Sequence, residues 1–169
     1  TDIEGEWEKK KLNDGFYDCG LLFDNDKIYV VYGINQLRIA ELDEDFNKIP
    51  GSDKDVVKWS FREGLEGSRL YKIGEYYYIY STYGGWPAFQ TVFRSKDIYG
   101  PYEEKKLIDD DNIHQGALVE TQTGEWWTML FYDKGAYGRF PNLQPVKWVD
   151  GWPEIGAVSY THLTLPTIR

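Results

Sequence analysis

Two carboxylates are the side chains best placed to do chemistry. Glu66 opens the run Glu66-Gly67-Ser68-Arg69-Leu70-Tyr71-Lys72, and Asp18 opens Asp18-Cys19-Gly20-Leu21-Leu22-Phe23. A lone acid beside a strand is ordinarily a solvated surface charge. Each of these, however, is followed by a turn and then by a long aromatic and β-branched run, at 28–32 after Asp18 and at 76–82 after Glu66. Such runs suit a pleated sheet. Asp18 precedes Tyr29 by eleven residues and Glu66 precedes Tyr77 by eleven, so the two acids hold one place in successive copies of a phrase. Paired carboxylates can divide acid–base work. An ionised one raises the pKa of its neighbour by like-charge repulsion, so that the neighbour keeps a proton near neutral pH.

The phrase occurs a third time. Gly116-Ala117-Leu118-Val119-Glu120 precedes the turn Thr123-Gly124-Glu125, and residues 126–132 form the run. Aligning on the turns puts Tyr29, Tyr77 and Trp127 at one position, with spacings of 48 and 50 residues. That period is close to the ~40–50 residues of a propeller blade. Equivalent places in a radial repeat face a common axis, so the acids should meet at one end of a central channel.

Helical period is nowhere sustained, and the fold class expected is all-β. Residues 1–156 read as one partial propeller domain with units at about 15–59, 65–108 and 114–156. Third strands are expected at 36–42 and 89–94, outer strands at 56–59 and 102–107, and a later strand at 144–148. Glu6-Trp7-Glu8 reads as the outer edge strand of a preceding unit, and Gly151-Trp152-Pro153 as a turn. Residues 157–169 do not continue the pattern and are expected to be a non-native tail. Propellers have roughly four to eight blades, so three units are expected to be an internal piece of a larger one.

Composition excludes several classes. A net charge of −9 without a basic cluster argues against nucleic acid and anionic membrane surfaces as partners. The single cysteine, Cys19, rules out an internal disulfide framework and a cysteine-based zinc site. No apolar run approaches the ~20 residues of a membrane span. Asp109-Asp110-Asp111 lacks the spacing of a helix-loop-helix calcium site and reads as a turn. The 14 Tyr and 7 Trp suit packing between sheets and also stacking on sugars. The chain begins Thr1-Asp2-Ile3 without a Met, so the lack of a signal pattern says nothing about export, and the compartment stays unknown.

In this order and spacing, the motifs resemble glycoside hydrolase family 43, the five-bladed β-propellers that act as β-xylosidases and α-L-arabinofuranosidases. The resemblance runs from about Gly15 to Gly156. It is carried by Tyr17-Asp18-Cys19-Gly20-Leu21-Leu22, Glu66-Gly67-Ser68 with Tyr76-Tyr77-Tyr78, Arg94-Ser95 with Gly100-Pro101-Tyr102, His114-Gln115-Gly116, Gly124-Glu125-Trp126-Trp127, and Tyr137-Gly138-Arg139. It implies an inverting glycosidase releasing terminal arabinofuranosyl or xylosyl residues from plant-wall polysaccharides or oligosaccharides.

By position, Glu66 matches the family's general acid and Asp18 the residue that sets its pKa. The general base has no counterpart here and is expected upstream, in a missing first blade, so the chain alone is expected to be inactive. Unit one has Asp18-Cys19-Gly20 where the commoner pattern is Asp-Pro-Ser. His114 is expected under the sugar, where it can help hold a calcium ion or an ordered water; a histidine satisfied by backbone partners is the competing reading. Trp86, after a Gly-Gly turn, and Arg139 are expected to line the substrate pocket. No cofactor is required, though a structural calcium in the channel is compatible with the family. Two other classes stay open: a non-catalytic carbohydrate-binding propeller module, and a structural propeller used for protein contacts.

Overall fold

Asn25 and Asp26 both take positive φ, 49° and 60°, and so close a two-residue turn in the type I′ conformation that suits the twist of a hairpin. The turn joins the first to the second of twelve strands among the described residues. A computed structural model describes residues 2–58, 64–85, 88–108 and 113–156 of the chain. Trp86, the acidic run 109–111 and the tail 157–169 therefore lie outside the described residues.

Three four-stranded antiparallel sheets follow one another along the chain. The first is β1 (Gly20–Asp24), β2 (Lys27–Tyr32), β3 (Gln36–Leu42) and β4 (Lys54–Lys58). The second is β5 (Leu65–Ile73), β6 (Tyr76–Tyr83), β7 (Phe89–Ser95) and β8 (Glu103–Ile108). The third is β9 (Ile113–Glu120), β10 (Trp126–Asp133), β11 (Arg139–Val149) and β12 (Trp152–Ile155). Within each sheet the strands are ordered as in the chain, so every connection is a simple hairpin. A one-turn 3-10 segment at Gly135–Tyr137 is the only helical element among the described residues. The molecule is all-β, with about three blades of the five-bladed propeller family.

Alternation decides which face each side chain serves. In β2, Tyr29 and Val31 join Leu65, Leu70, Ile79 and Phe93 in a core between the first and second sheets. Val30 and Tyr32 point the other way, onto Ala40, Leu42, Phe16 and Phe46. In β6, Ile79 serves that first core, while Tyr78 and Tyr80 join Ile113, Leu118 and Leu130 in a second core against the third sheet. The second sheet is thus covered on both faces, and β6 and β7 are buried along most of their length rather than at alternate residues. Buried hydroxyls inside these layers find partners: Tyr80 Oη and Thr128 Oγ1 lie 2.9 Å apart across the second interface. The Tyr77 phenol, pushed up to about 12 by burial and by the carboxylate it meets, donates to Asp24 Oδ2 at 2.8 Å across the first.

The structure departs from the sequence reading in three places. Glu6-Trp7-Glu8 forms no strand, and Trp7 is exposed, its indole reaching only Ile3 O of its own turn. Trp152 and Pro153 belong to strand β12 rather than a turn; the turn is Asp150-Gly151, both at positive φ. The hairpin closures Asp24↔Lys27 and Ile73↔Tyr76 pair Tyr29 with Tyr78, not Tyr77, when the two sheets are superposed on their turns.

Candidate active site

That one-residue shift should separate the two acids, yet they remain in register. In β5, Glu66 faces Thr82 and Arg69 faces Tyr80, so Gly67 and Ser68 together oppose a single residue, Ser81. This is a β-bulge whose first residue, Gly67, takes the left-handed conformation at φ 65°. The extra residue cancels the shift. Continuing the β1–β2 register of Gly20↔Val31 outward sets Asp18 opposite Gly33, and the Gly33 N–H donates to Tyr17 O at 3.0 Å. Asp18 itself is at φ 45°, a conformation that a short acidic side chain tolerates, so it is a turn residue just ahead of β1 rather than part of it.

The third sheet repeats the device. His114 faces Phe131 and Ala117 faces Met129, leaving Gln115 and Gly116 opposite Leu130, with Gln115 at φ 46°. Asp18, Glu66 and His114 therefore hold corresponding places in three successive sheets, 48 residues apart each time. His114 and Gly116 are two residues apart, a spacing that would put them on one strand face, but the bulge between them interrupts the alternation. The two bulges also touch. A Cβ on Gly67 would sit 3.0 Å from Gln115 Cγ, and the Gln115 N–H donates to Thr82 Oγ1 at 3.0 Å. Thr82, fully buried opposite Glu66, passes its own proton to Phe89 O at 3.0 Å. Bulges beside a site commonly serve to re-aim one side chain, and here they lock two strands together behind Glu66.

Glu66 is half-buried, and both its oxygens have defined surroundings. Oε2 accepts a hydrogen bond from the Tyr17 phenol at 2.9 Å. Oε1 lies over Gly84, where a Cβ would come within 2.5 Å of it. The Tyr17 phenol is raised above its ordinary value, chiefly because it hydrogen-bonds the Glu66 carboxylate and sits in its field, with a smaller contribution from Asp18. Tyr17 is thus the group that feels both acids. The approach to Glu66 is held by Asn35, whose Oδ1 accepts from the N–H groups of Gly64 at 2.6 Å and Leu65 at 3.2 Å. Arg69 donates to Cys19 O at 3.2 Å and ties β5 to the segment carrying Asp18.

His114 is buried and pairs through Nε2 with Asp133 Oδ2 at 2.9 Å. That hydrogen bond is the main cause that holds the Asp133 carboxyl below the usual carboxylate range; burial opposes it, and the fields of His114 and then Arg139 add to the lowering. An ionised carboxylate accepts, so the contact assigns a proton to Nε2, and when the ring carries no second proton Nδ1 is a lone-pair acceptor. Nδ1 is buried without a partner among the described residues. Arg139, largely exposed, approaches Asp133 Oδ1 at 3.3 Å and lies over the Phe131 ring at 4.4 Å, the same ring that packs edge-on against His114 at 4.4 Å. The structure therefore brings His114 and Arg139 together through Asp133 and Phe131.

Sequence reasoning assigned no role to Tyr17, Asn35, Gly84 or Asp133. The 48-residue recurrence of Asp18, Glu66 and His114 was open to it. Calcium is a different matter. It takes six to eight oxygen ligands, and among the described residues no three His, Cys, Asp or Glu side chains gather to hold a metal. One imidazole nitrogen does not make such a site, and no step below runs through a metal.

Comparison with known proteins places this propeller segment in a family of glycosidases. The family model of glycosyl hydrolases family 43 matches residues 1–153, and the chain belongs to that family. It is 31% identical over 196 residues to a xylan 1,3-β-xylosidase of a Vibrio species, covering 90% of this chain and 37% of that protein. It is 27% identical over 175 residues to a non-reducing end α-L-arabinofuranosidase of Bacteroides ovatus, covering 90% and 33%. Among solved structures it is similar to a bifunctional GH43-CE protein of Bacteroides eggerthii, with 34% identity and a TM-score of 0.85 over 96% of this chain and 22% of that one. The chain spans about a third of the length of these two curated relatives.

Proposed function

We propose that the protein hydrolyses terminal xylosyl or arabinofuranosyl units of plant-wall polysaccharides or oligosaccharides with inversion. Glu66 is the general acid and Asp18 sets its proton affinity. A carboxylate outside the described residues is the general base. Glu66 protonates the glycosidic oxygen as the bond from that oxygen to the anomeric carbon breaks. A water that has lost its proton to the base forms the new bond on the opposite face. Inversion needs acid and base ~6.5–9.5 Å apart to admit that water. His114, Arg139 and Trp86 contact the sugar, with the His114 Nδ1 lone pair accepting from a hydroxyl or an ordered water.

The observation that carries this reading is the shared register of Asp18 and Glu66 on adjacent sheets, with one phenol, Tyr17, feeling both carboxylates. A scaffold gains nothing from like charges at equivalent places. The relatives named as a β-xylosidase and an arabinofuranosidase support the substrate class.

Glu66→Gln in the full-length protein is the direct test. General acid catalysis contributes ~10²–10⁴-fold, so turnover of xylo- or arabino-oligosaccharides should fall by that factor. Aryl glycosides with good leaving groups, which need little protonation, should be largely spared. Loss of both substrates alike, or of neither, overturns the assignment of Glu66. Product of retained configuration by NMR overturns inversion.

The alternative is a sugar-binding propeller module that lacks a base. Binding of xylo- or arabino-oligosaccharides by the full-length protein with no turnover would select it. On the first reading the 169-residue chain alone is inactive, and hydrolysis by the purified chain would refute that.

A further inference from the structure

We infer that Tyr17 is a positioning residue that decides which oxygen of Glu66 carries the catalytic proton. This rests on the reading of Glu66 as the general acid. A protonated carboxyl has one carbonyl oxygen, which accepts, and one hydroxyl oxygen, which donates. The Tyr17 phenol donates to Oε2 at 2.9 Å, so Oε2 is the carbonyl oxygen and the proton sits on Oε1. Oε1 is the oxygen over Gly84, a residue with no side chain of its own to stand in the way. The two contacts together sort the oxygens: one engaged by the protein, the other left for the leaving group.

Tyr17 is built to hold this position although its ring is half exposed. Its carbonyl is fixed by the Gly33 N–H at 3.0 Å. The preceding residue, Phe16, stands edge-on to the Tyr32 ring at 5.2 Å and 83°. Lys48 lies over both rings, 5.3 Å from Phe16 and 4.7 Å from Tyr32, and its ammonium bonds Tyr32 Oη at 2.8 Å and Asp53 Oδ2 at 3.0 Å. Asp53 is held in turn by Arg38 at 2.9 Å. A chain of contacts from β3 and the β3–β4 loop thus sets the segment from which a first-sheet phenol reaches a second-sheet acid.

The test compares Tyr17→Phe with Glu66→Gln in the full-length protein, each on an oligosaccharide and on a dinitrophenyl glycoside of the same sugar. A hydrogen bond to an ionisable group corresponds to roughly 10–100-fold. Tyr17→Phe should lower kcat on the oligosaccharide by on the order of tenfold with KM little changed, and leave the dinitrophenyl glycoside nearly untouched. A purely structural role would lower both substrates by one factor together with the melting temperature, and that result overturns the proposal. So does wild-type turnover by Tyr17→Phe. If Glu66→Gln itself shows no leaving-group dependence, the general-acid reading fails first. If Glu66→Gln shows it and Tyr17→Phe does not, only the role of Tyr17 fails.

Discussion

At the scale of single residues, the site is a set of carboxylates whose partners differ. Asp133 has two cationic or proton-donating neighbours, His114 and Arg139, and its carboxyl is held below its ordinary value near 3.8. A depressed carboxyl favours the folded state at pH above the unfolded value, and that contribution fades as pH falls through the folded one. Asp133 should therefore help stability at neutral pH, a contribution that starts to fade at about pH 4 and is gone only below its lowered folded value. It is partly exposed and its effect is screened, so the change is modest. Asp133→Asn should flatten the loss of stability in urea titrations as pH falls from about 5 through the lowered Asp133 value; an unchanged slope would show that the contact is energetically idle. The same substitution should lower turnover, because an amide can offer His114 either an acceptor or a donor and so no longer fixes one tautomer.

At the scale of elements, the critical contacts are backbone to backbone. Gly20 opens β1 directly against β5: a Cβ there would come within 2.8 Å of both Arg69 Cα and Ser68 O. Main chain cannot swing aside as a flexible side chain can, so Gly20→Ala must part the first and second sheets. Such overpacking costs about 1–3 kcal/mol, and it should lower the melting temperature while also drawing Tyr17 away from Glu66. Gly84→Ala is the contrast. Its Cβ would meet only the end of the Glu66 side chain, 2.5 Å from Oε1. That variant should keep nearly wild-type thermal stability and lose activity; equal losses in both variants would mean that Gly84 is structural.

At the scale of the molecule, the second sheet is sealed on both faces and the outer two are not. Leu21 and Phe23 are exposed on β1, and Val119, Met129 and Leu143 are exposed on the third sheet, with Met129 and Leu143 directly cross-strand. Apolar patches of this kind promote association. The isolated 169-residue chain should therefore self-associate in sedimentation velocity, and Met129→Lys with Leu143→Lys should reduce that without altering the far-ultraviolet spectrum. Association that persists unchanged would place the contact elsewhere, the β1 face being the next to alter.

Much of this architecture was legible from residue order. Strand runs, Gly and Asx turns, and the recurrence of an acid before the first two hairpins are local patterns, and a hairpin is formed by neighbours in sequence. Asp18 and Glu66 could be paired for the same reason, although the aromatic used to align them was one residue off. Trp7, Trp152 and the placing of Asp18 ahead of its strand were not legible, since short apolar or acidic triplets fit strand and turn alike. What only the tertiary structure decided is which atoms meet. The bulges at Gly67 and Gln115 restore the register of the site, the Tyr17 phenol selects Glu66 Oε2, and Asp133 joins His114 to Arg139. Two of these contacts bridge neighbouring sheets, and the third crosses adjacent strands at the end of one. Their geometry depends on how sheets twist and pack, for which no short sequence period carries a signal.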